Sequence, residues 1–220
     1  MKRLLVVFFV TLIPLLSIAQ WKVGLEAGAG FNYLSSDDAQ VSDYAKIGVK
    51  VSAIVSHTTK YRLYLESGLG FASNKGAILS GFKNQYKTLQ SVDSKLHYLQ
   101  LPVSVGYKIQ ITNNWSIIPK VGMWVAVGVG GHSIVTGTES GGTSYQVRVL
   151  PFESDSYTLS GKNYDIGGFS RQDWGTSFGV DIHYKHFALR AAFDLGLQDL
   201  NFDLGSPESH SFTLTMGYFF

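Results

Sequence analysis

The sequence of 220 residues contains no cysteine and only 5 prolines. Without cysteine the chain has neither a lipid attachment site nor a disulfide framework, so its own secondary structure must stabilise it. A long apolar run is also missing, because the stretch from Leu4 to Leu16 is broken by Thr11 and Pro14 and is soon followed by Gln20. A membrane-spanning helix needs roughly 20 consecutive apolar residues. A helix retained in a membrane is therefore excluded.

The first 19 residues instead have the three parts of a secretory signal peptide. Met1 to Arg3 form a basic start, residues 4–16 form a short apolar core, and Ser17-Ile18-Ala19 is a small-x-small cleavage site. This order is typical of a peptide that is removed after export. We expect residues 1–19 to be the signal peptide and the mature chain to begin at Gln20.

An excess of charge of one sign is missing as well. The 18 basic and 16 acidic residues give a formal net charge of +2, but Lys2 and Arg3 belong to the predicted signal peptide. Without these two residues the chain is balanced, with 16 basic residues against 16 acidic ones. A basic surface for nucleic acid is therefore not expected, and no nucleic-acid partner is predicted.

What the sequence does contain is apolar and polar residues in alternation, together with 24 glycines and an aromatic content of 14%. In the first such stretch Val23, Leu25 and Ala27 share one face, while Gly24 and Glu26 share the other. A period of two indicates a β-strand with one apolar face. Eight stretches follow this pattern, at residues 23–33, 46–55, 61–71, 99–109, 115–128, 174–184, 187–197 and 212–220.

The connections between these stretches alternate in length. Strands 2 and 3 are separated by residues 56–60, strands 4 and 5 by residues 110–114, and strands 6 and 7 by Lys185-His186 alone. Alternation alone would also fit a soluble barrel, whereas short turns at one end and long loops at the other are typical of outer-membrane barrels. The longer, polar connections lie near residues 34–43, 73–94, 130–172 and 199–209.

Aromatic residues mark both ends of the predicted strands, as the anchors of a membrane barrel do. On the short-turn side they are Trp21, Tyr61, Tyr107, Trp115, Tyr184, Phe187, Tyr218 and Phe220, and on the other side Tyr33, Tyr44, Phe71, Trp174 and Phe212. The sequence therefore predicts an all-β fold over residues 20–220. This fold is an eight-stranded antiparallel up-and-down transmembrane β-barrel with short periplasmic turns and long extracellular loops. We expect it in the outer membrane of a Gram-negative cell, in contact with outer-membrane lipid.

The polar face of the strands carries charges of both signs. Opposite charges in a narrow interior can pair with one another, and eight strands leave an interior that side chains just fill. We therefore expect a structural network rather than a wide pore, with a proton or ion path as the alternative. The predicted lumen charge network consists of Glu26, Lys46, Lys50, Arg62, Glu66, Lys108, Lys120, Asp181, Arg190 and Asp194.

Motifs for chemistry are weak, and the sequence predicts no catalytic residue, no cofactor and no metal ligands. His183 and His186 flank a tight turn and lack the helical spacing of a zinc protease site. The stretch from Gly128 to Ser133 lacks phosphate-binding spacing, and we expect it to let strand 5 twist and open into its loop. His132, Ser133 and Glu139 lie close together in the sequence. They leave a lipid A or phospholipid hydrolase as the alternative function.

The third long loop, residues 130–172, is the candidate for partner recognition. Aromatic side chains in an exposed loop suit recognition of another protein, although they would equally suit a cap over the barrel mouth. The favoured function is a non-enzymatic scaffold that binds an envelope protein through its loops, or an accessory in envelope protein secretion or surface assembly. The candidate contact residues are Tyr145, Phe152, Tyr157, Tyr164 and Phe169.

Four short motifs together carry a family resemblance: SIAQ at residues 17–20, VGLEAG at 23–28, HYLQLPV at 97–103 and GYFF at 217–220. They resemble the PorT-like outer-membrane β-barrel family of Bacteroidetes over the whole mature chain. The resemblance implies an outer-membrane protein, and the namesake of the family is associated with secretion of proteins across the envelope. The aromatic end is similar to the signal that the barrel-assembly machinery reads, so that machinery is an expected partner during biogenesis.

Overall fold

The computed structural model describes residues 20–35, 42–73, 75, 78–80, 89–138, 144–152, 155–159, 162–166, 169–198 and 208–220. The predicted signal peptide, residues 1–19, lies outside them. No helix in the described part of the chain is long and apolar enough to cross a membrane. The main elements are β1 (Gln20–Ser35), β2 (Lys46–Thr58), β3 (Leu63–Ser73), β4 (Leu89–Tyr107), β5 (Trp115–Thr138), β6 (Gln172–Tyr184), β7 (Phe187–Gly196) and β8 (Glu208–Phe219).

These eight strands form one closed antiparallel sheet. Each strand pairs with the next one in the chain, from β1 with β2 through to β7 with β8. The last strand then pairs with the first, from Gly24 opposite Phe219 to Ser35 opposite Glu208. Closure leaves no free edge in the wall, so its backbone groups are satisfied between strands. The predicted eight-stranded up-and-down barrel is confirmed.

Side chains alternate between the outside and the inside of the wall. In β8, Leu214 and Met216 are 50% and 63% exposed, whereas Thr213 and Thr215 are 7% and 2% exposed. The other strands also place apolar side chains outside and most polar ones inside. A soluble barrel has the reverse arrangement, while an apolar exterior matches lipid.

Three tight turns lie at one end of the barrel. In the turn between β2 and β3, the Arg62 N–H donates to the Thr59 carbonyl at 3.0 Å. Lys185-His186 alone joins β6 to β7. The third turn, residues 108–114, contains the short strand Ile109–Gln110, which pairs with the start of β5. We call this the short-turn end and the opposite one the long-loop end.

At the long-loop end, β4 and β5 continue well beyond the neighbouring strands. They stay paired as far as Leu89 opposite Gly137. The sequence assigns residues 89–94 and 130–138 to loops, and these two boundaries are wrong. The expectation that β5 opens into its loop at Gly128 to Ser133 is also wrong, because the pairing shifts register near Tyr98 and then continues.

Short strands widen this extension into a sheet outside the barrel, which we call the outer sheet. Ser42–Tyr44 pairs with Ile78–Ser80, and Ile78–Ser80 pairs with the first part of β4. Ser144–Val149 pairs with the last part of β5. Farther along the same connection, Asp155–Leu159 pairs with Lys162–Ile166 in a separate hairpin, which we call the loop hairpin.

Candidate functional site

The densest group of charges in the described barrel interior surrounds Arg190 of β7. Its guanidinium donates to Glu66 Oε2 at 2.7 Å and to Asp181 Oδ1 at 2.9 Å, and it lies 2.8 Å from Glu26 Oε2. A guanidinium has five N–H donors in a planar fork, so it can serve several carboxylates at once. The three acids lie on β1, β3 and β6. Arg190 therefore joins strands from around the barrel wall.

Lys120 of β5 completes this group. Its Nζ lies 2.8 Å from Glu66 Oε1 and 3.1 Å from Asp181 Oδ2. The hydroxyls of Tyr64 and Thr215 donate to the two glutamates of the group at 2.9 Å and 3.1 Å. His183 lies nearby, with Nε2 3.7 Å from Asp181 Oδ2. We call this group the lower network: Glu26, Tyr64, Glu66, Lys120, Asp181, His183, Arg190 and Thr215.

The lower network is shielded from water. Glu26, Glu66 and Asp181 are 5%, 6% and 0% exposed, and Arg190 is 8% exposed. Buried charges are tolerated only when they are paired and hydrogen-bonded, because water cannot replace a lost partner. The geometry therefore makes this group an internal brace between strands.

A second set of charges lies closer to the long-loop end. Lys50 Nζ is 3.8 Å from Asp194 Oδ2, and Lys75 Nζ is 3.7 Å from Asp173 Oδ2. Lys46 forms an ion pair with Asp93 and also donates to the Ser94 carbonyl at 2.7 Å. We call this set the upper network: Lys46, Lys50, Lys75, Asp93, Asp173 and Asp194.

Large side chains occupy the interior around the upper network. Lys75 Nζ lies 4.0 Å from the centre of the Trp124 ring and 5.8 Å from that of Tyr98, which are cation–π distances. Trp124 and Tyr98 are each only 1% exposed. A small cavity remains beside Lys75, lined in part by Gln100. Side chains thus fill this part of the barrel, as expected for eight strands.

Eight of the ten residues predicted for the lumen charge network lie in these two networks, each in an ion pair. Arg62 differs from the prediction, because it lies in the β2–β3 turn and is exposed. Lys108 also differs, because it is half-buried in the turn after β4, at the short-turn end. Sequence reasoning missed Lys75, Asp93 and Asp173, since Lys75 and Asp93 fall within a segment assigned to a loop and Asp173 lies just before the sixth predicted strand.

The two third-loop aromatic side chains that the structure describes, Phe152 and Phe169, are not exposed. The Phe152 ring packs 5.6 Å from the Tyr98 ring and covers Gly128, and Phe169 is only 3% exposed. These two residues cap the barrel mouth. A cap is the second role that the sequence allows for the loop aromatics, beside contact with a partner. The backbones of Tyr157 and Tyr164 pair in the loop hairpin. The side chains of Tyr145, Tyr157 and Tyr164 lie outside the described residues.

His132 and Ser133, the residues behind the hydrolase alternative, lie in the outer sheet. They are consecutive residues of a strand, so their side chains point to opposite faces. The Ser133 hydroxyl lies 2.9 Å from the Ser94 hydroxyl. Glu139 lies outside the described residues. The strand therefore does not bring His132 and Ser133 together as a nucleophile and its base require.

A closed wall of eight antiparallel strands, apolar outside and charged inside, defines the class of outer-membrane β-barrel proteins. The family model described as "Outer membrane protein beta-barrel domain" matches residues 17–201. The chain belongs to this family. It is accordingly an outer-membrane protein that contacts lipid.

Solved structures of three bacterial outer-membrane proteins are similar to this chain. A major outer membrane protein from Thermus thermophilus is 15% identical with a TM-score of 0.46, covering 91% of this chain and 100% of that one. Ail of Yersinia pestis is 11% identical with a TM-score of 0.41, covering 91% and 99%. Neisserial surface protein A is 10% identical with a TM-score of 0.42, covering 90% and 97%. No curated protein sequence matches the chain.

Proposed function

We propose that this protein is a non-enzymatic outer-membrane scaffold that presents its long-loop end to another envelope protein. The observation that carries this proposal is the braced and filled interior. The lower network and the side chains around Lys75 occupy the space that a diffusion channel would need. Contacts at the ends of the barrel are then the means by which the protein acts.

The long-loop end contains an element that can contact a partner outside the barrel. Its outer sheet continues directly from β4 and β5, so backbone pairing connects it to the wall. Phe152 and Phe169 are used as the cap, which leaves the loop hairpin, Asp155–Leu159 with Lys162–Ile166, as the candidate contact element. In outer-membrane barrels the long loops face the exterior and the short turns face the periplasm. We assign the same orientation to this chain.

A role as an accessory in envelope protein secretion or surface assembly is the specific form of this proposal. It is supported by the motifs VGLEAG at residues 23–28 and HYLQLPV at 97–103, which resemble the PorT-like family of Bacteroidetes. Residues 1–19 fit export by a cleaved signal peptide, and the barrel-assembly machinery would fold the exported chain into the membrane. The scaffold role does not depend on the secretion role.

Crosslinking on intact cells tests the scaffold role and the orientation together. A membrane-impermeant crosslinker should capture one envelope protein with the native chain, because the loop hairpin faces outward. The variant Tyr157→Ser/Tyr164→Ser should lose this partner, since aromatic side chains contribute most to such contacts. The matched control is Thr158→Ala/Asn163→Ala, the neighbouring pair of the same hairpin, which should retain it. Heat-modifiable migration on a gel reports that each barrel is folded.

Two results would contradict the proposal. Full capture of the partner by Tyr157→Ser/Tyr164→Ser would show that the loop hairpin is not the contact. Turnover of lipid A or phospholipid by the purified protein, lost in His132→Ala, would show that the chain is an enzyme.

A further inference from the structure

Every charged side chain at the short-turn end is basic. The strand ends and turns there comprise residues 20–23, 56–63, 106–117, 183–189 and 216–220, all within the described chain, and they contain no Asp or Glu. From Gln20 onward, the remainder of the chain has eleven basic residues against sixteen acidic ones. We call the basic residues of this end the basic ring: Lys22, Lys60, Arg62, Lys108 and Lys185.

The basic ring is distributed around the barrel mouth. Lys22 lies at the start of β1, Lys60 and Arg62 lie in the β2–β3 turn, Lys108 lies in the β4–β5 turn, and Lys185 lies in the β6–β7 turn. Lys60, Arg62 and Lys185 are exposed, and the other two are half-buried. The positive charge is therefore distributed over the start of β1 and the three turns instead of forming one patch.

Aromatic side chains place this ring at the level of the membrane interface. Lys60 Nζ lies 5.0 Å from the centre of the Tyr61 ring, and Lys185 Nζ lies 5.5 Å from that of Tyr184. Interfacial aromatics sit at the headgroup level of a bilayer. The exposed aromatics at this end are Trp21, Tyr61, Tyr107, Trp115, Tyr184, Phe187, Tyr218 and Phe220.

Two members of the ring repel each other. Partial burial lowers the pKa of Lys108, and the nearby charge of Lys22 lowers it further. Nothing within the described short-turn end offsets this repulsion with a side-chain carboxylate.

We propose that the basic ring binds the phosphate groups of anionic phospholipids in the adjacent leaflet. The aromatic residues fix the ring at headgroup depth, and its distribution around the rim matches a lipid annulus. A single acidic protein, by contrast, would contact only one side of the basic ring. Basic residues near an anionic membrane surface attract its lipids, and the attraction is screened by salt.

Spin-labelled lipids test this proposal with the full-length folded protein in phosphatidylcholine bilayers. The measurement compares how strongly spin-labelled phosphatidylglycerol and spin-labelled phosphatidylcholine associate with the protein. At low salt phosphatidylglycerol should be favoured by about fivefold, the factor for one basic residue near an anionic surface. The preference should disappear in 1 M salt, where the Debye length is about 3 Å.

A pair of matched variants locates the effect. Lys60→Gln/Lys185→Gln removes two of the three exposed members of the basic ring and should lower the preference clearly, whereas Lys95→Gln/Arg148→Gln, which removes two exposed charges from the outer sheet, should leave it unchanged. Heat-modifiable migration shows that both variants are folded. An unchanged preference in Lys60→Gln/Lys185→Gln would overturn the proposal. No preference in the native protein, together with binding of soluble polyglutamate, would also overturn it and would indicate an acidic protein partner.

Discussion

Arg190 is the residue on which the lower network depends. Glu26, Glu66 and Asp181 all lie within hydrogen-bond distance of its guanidinium. Without that guanidinium three buried carboxylates would face one another, and Lys120 would remain in an ion pair with just two of them, Glu66 and Asp181, among the described contacts. The cost of losing Arg190 is therefore the cost of leaving buried acids unpaired, not only the loss of its hydrogen bonds.

We expect Arg190→Met to lower the free energy of unfolding by about 3–5 kcal/mol, the usual cost of breaking a buried ion pair. Urea unfolding of the protein in lipid vesicles measures this change. The control Arg148→Gln removes an exposed charge and should cost less than about 0.5 kcal/mol. Adding Glu66→Gln to Arg190→Met should recover part of the loss. Equal stability of Arg190→Met and Arg148→Gln would show that the lower network does not brace the strands.

Gly128 makes room for the cap. A Cβ at this position would overlap the Phe152 ring, whereas a Cβ at Gly130 would have no atom within 4 Å. Gly128→Ala should displace Phe152 and expose the following loop to protease, while the barrel itself loses about 1 kcal/mol or less because the ring can move outward. Limited proteolysis of the folded protein measures this, with Gly130→Ala as the matched control. Equal cleavage of the two variants would contradict the role of Phe152 as a cap.

At the scale of elements, β5 belongs to two structures. Its first half lies in the barrel wall between β4 and β6, and its second half lies in the outer sheet between β4 and Ser144–Val149. Gly131 lies in the second half with a φ of 141°, and a Cβ there would overlap the Lys95 carbonyl of β4. Only glycine adopts this conformation without strain. The continuation of β5 therefore depends on Gly131.

Gly131→Val should disorder the outer sheet but leave the barrel closed. The reason is that the strained residue lies beyond the wall, where β5 pairs with the first part of β4. Hydrogen exchange measures this: amides of residues 133–138 should lose protection, and amides of residues 116–125 should keep it. Loss of protection in both segments would mean that the two halves of β5 fold as one unit.

The barrel wall was predictable from sequence, whereas the outer sheet was not. Alternation with a period of two is a local property, so Val121, Met123 and Val125 show their common face without any knowledge of their neighbours. The glycines from Gly128 to Gly131 look locally like the end of a strand, and only pairing with β4 keeps them extended. The pairing of Lys75 with Asp173 was equally hidden, since both residues lie in segments that alternation does not cover.

At the scale of the whole molecule, the outer surface of the barrel matches surroundings that are apolar around its middle and aqueous at both ends. Val121 is 46% exposed and lies opposite Phe178, which is 50% exposed and near the middle of β6. Leu63 lies opposite Tyr107, within the aromatic belt of the short-turn end. The energetic cost of a charge on this surface should therefore depend on its depth.

Val121→Arg should destabilise the barrel by about 2–4 kcal/mol, the cost of an arginine at the bilayer midplane. Leu63→Arg should cost only about 0–1 kcal/mol, because its charge can reach the headgroups. Unfolding in vesicles gives both values, and Val121→Leu controls for the change in side-chain size. Similar costs for the two arginines would mean that this face does not lie across a membrane.

The seam between β1 and β8 has a kinetic consequence. It joins residues of the first and last strands, such as Gly24 and Phe219, and the Arg190–Glu26 ion pair crosses it. Such distant pairings form late, because the loop between them must close first. Interactions that form after the transition state slow unfolding and leave the folding rate nearly unchanged. Glu26→Gln should therefore shorten the lifetime of the inserted barrel without slowing its insertion. The seam would then determine how long the folded barrel persists, not how fast it forms.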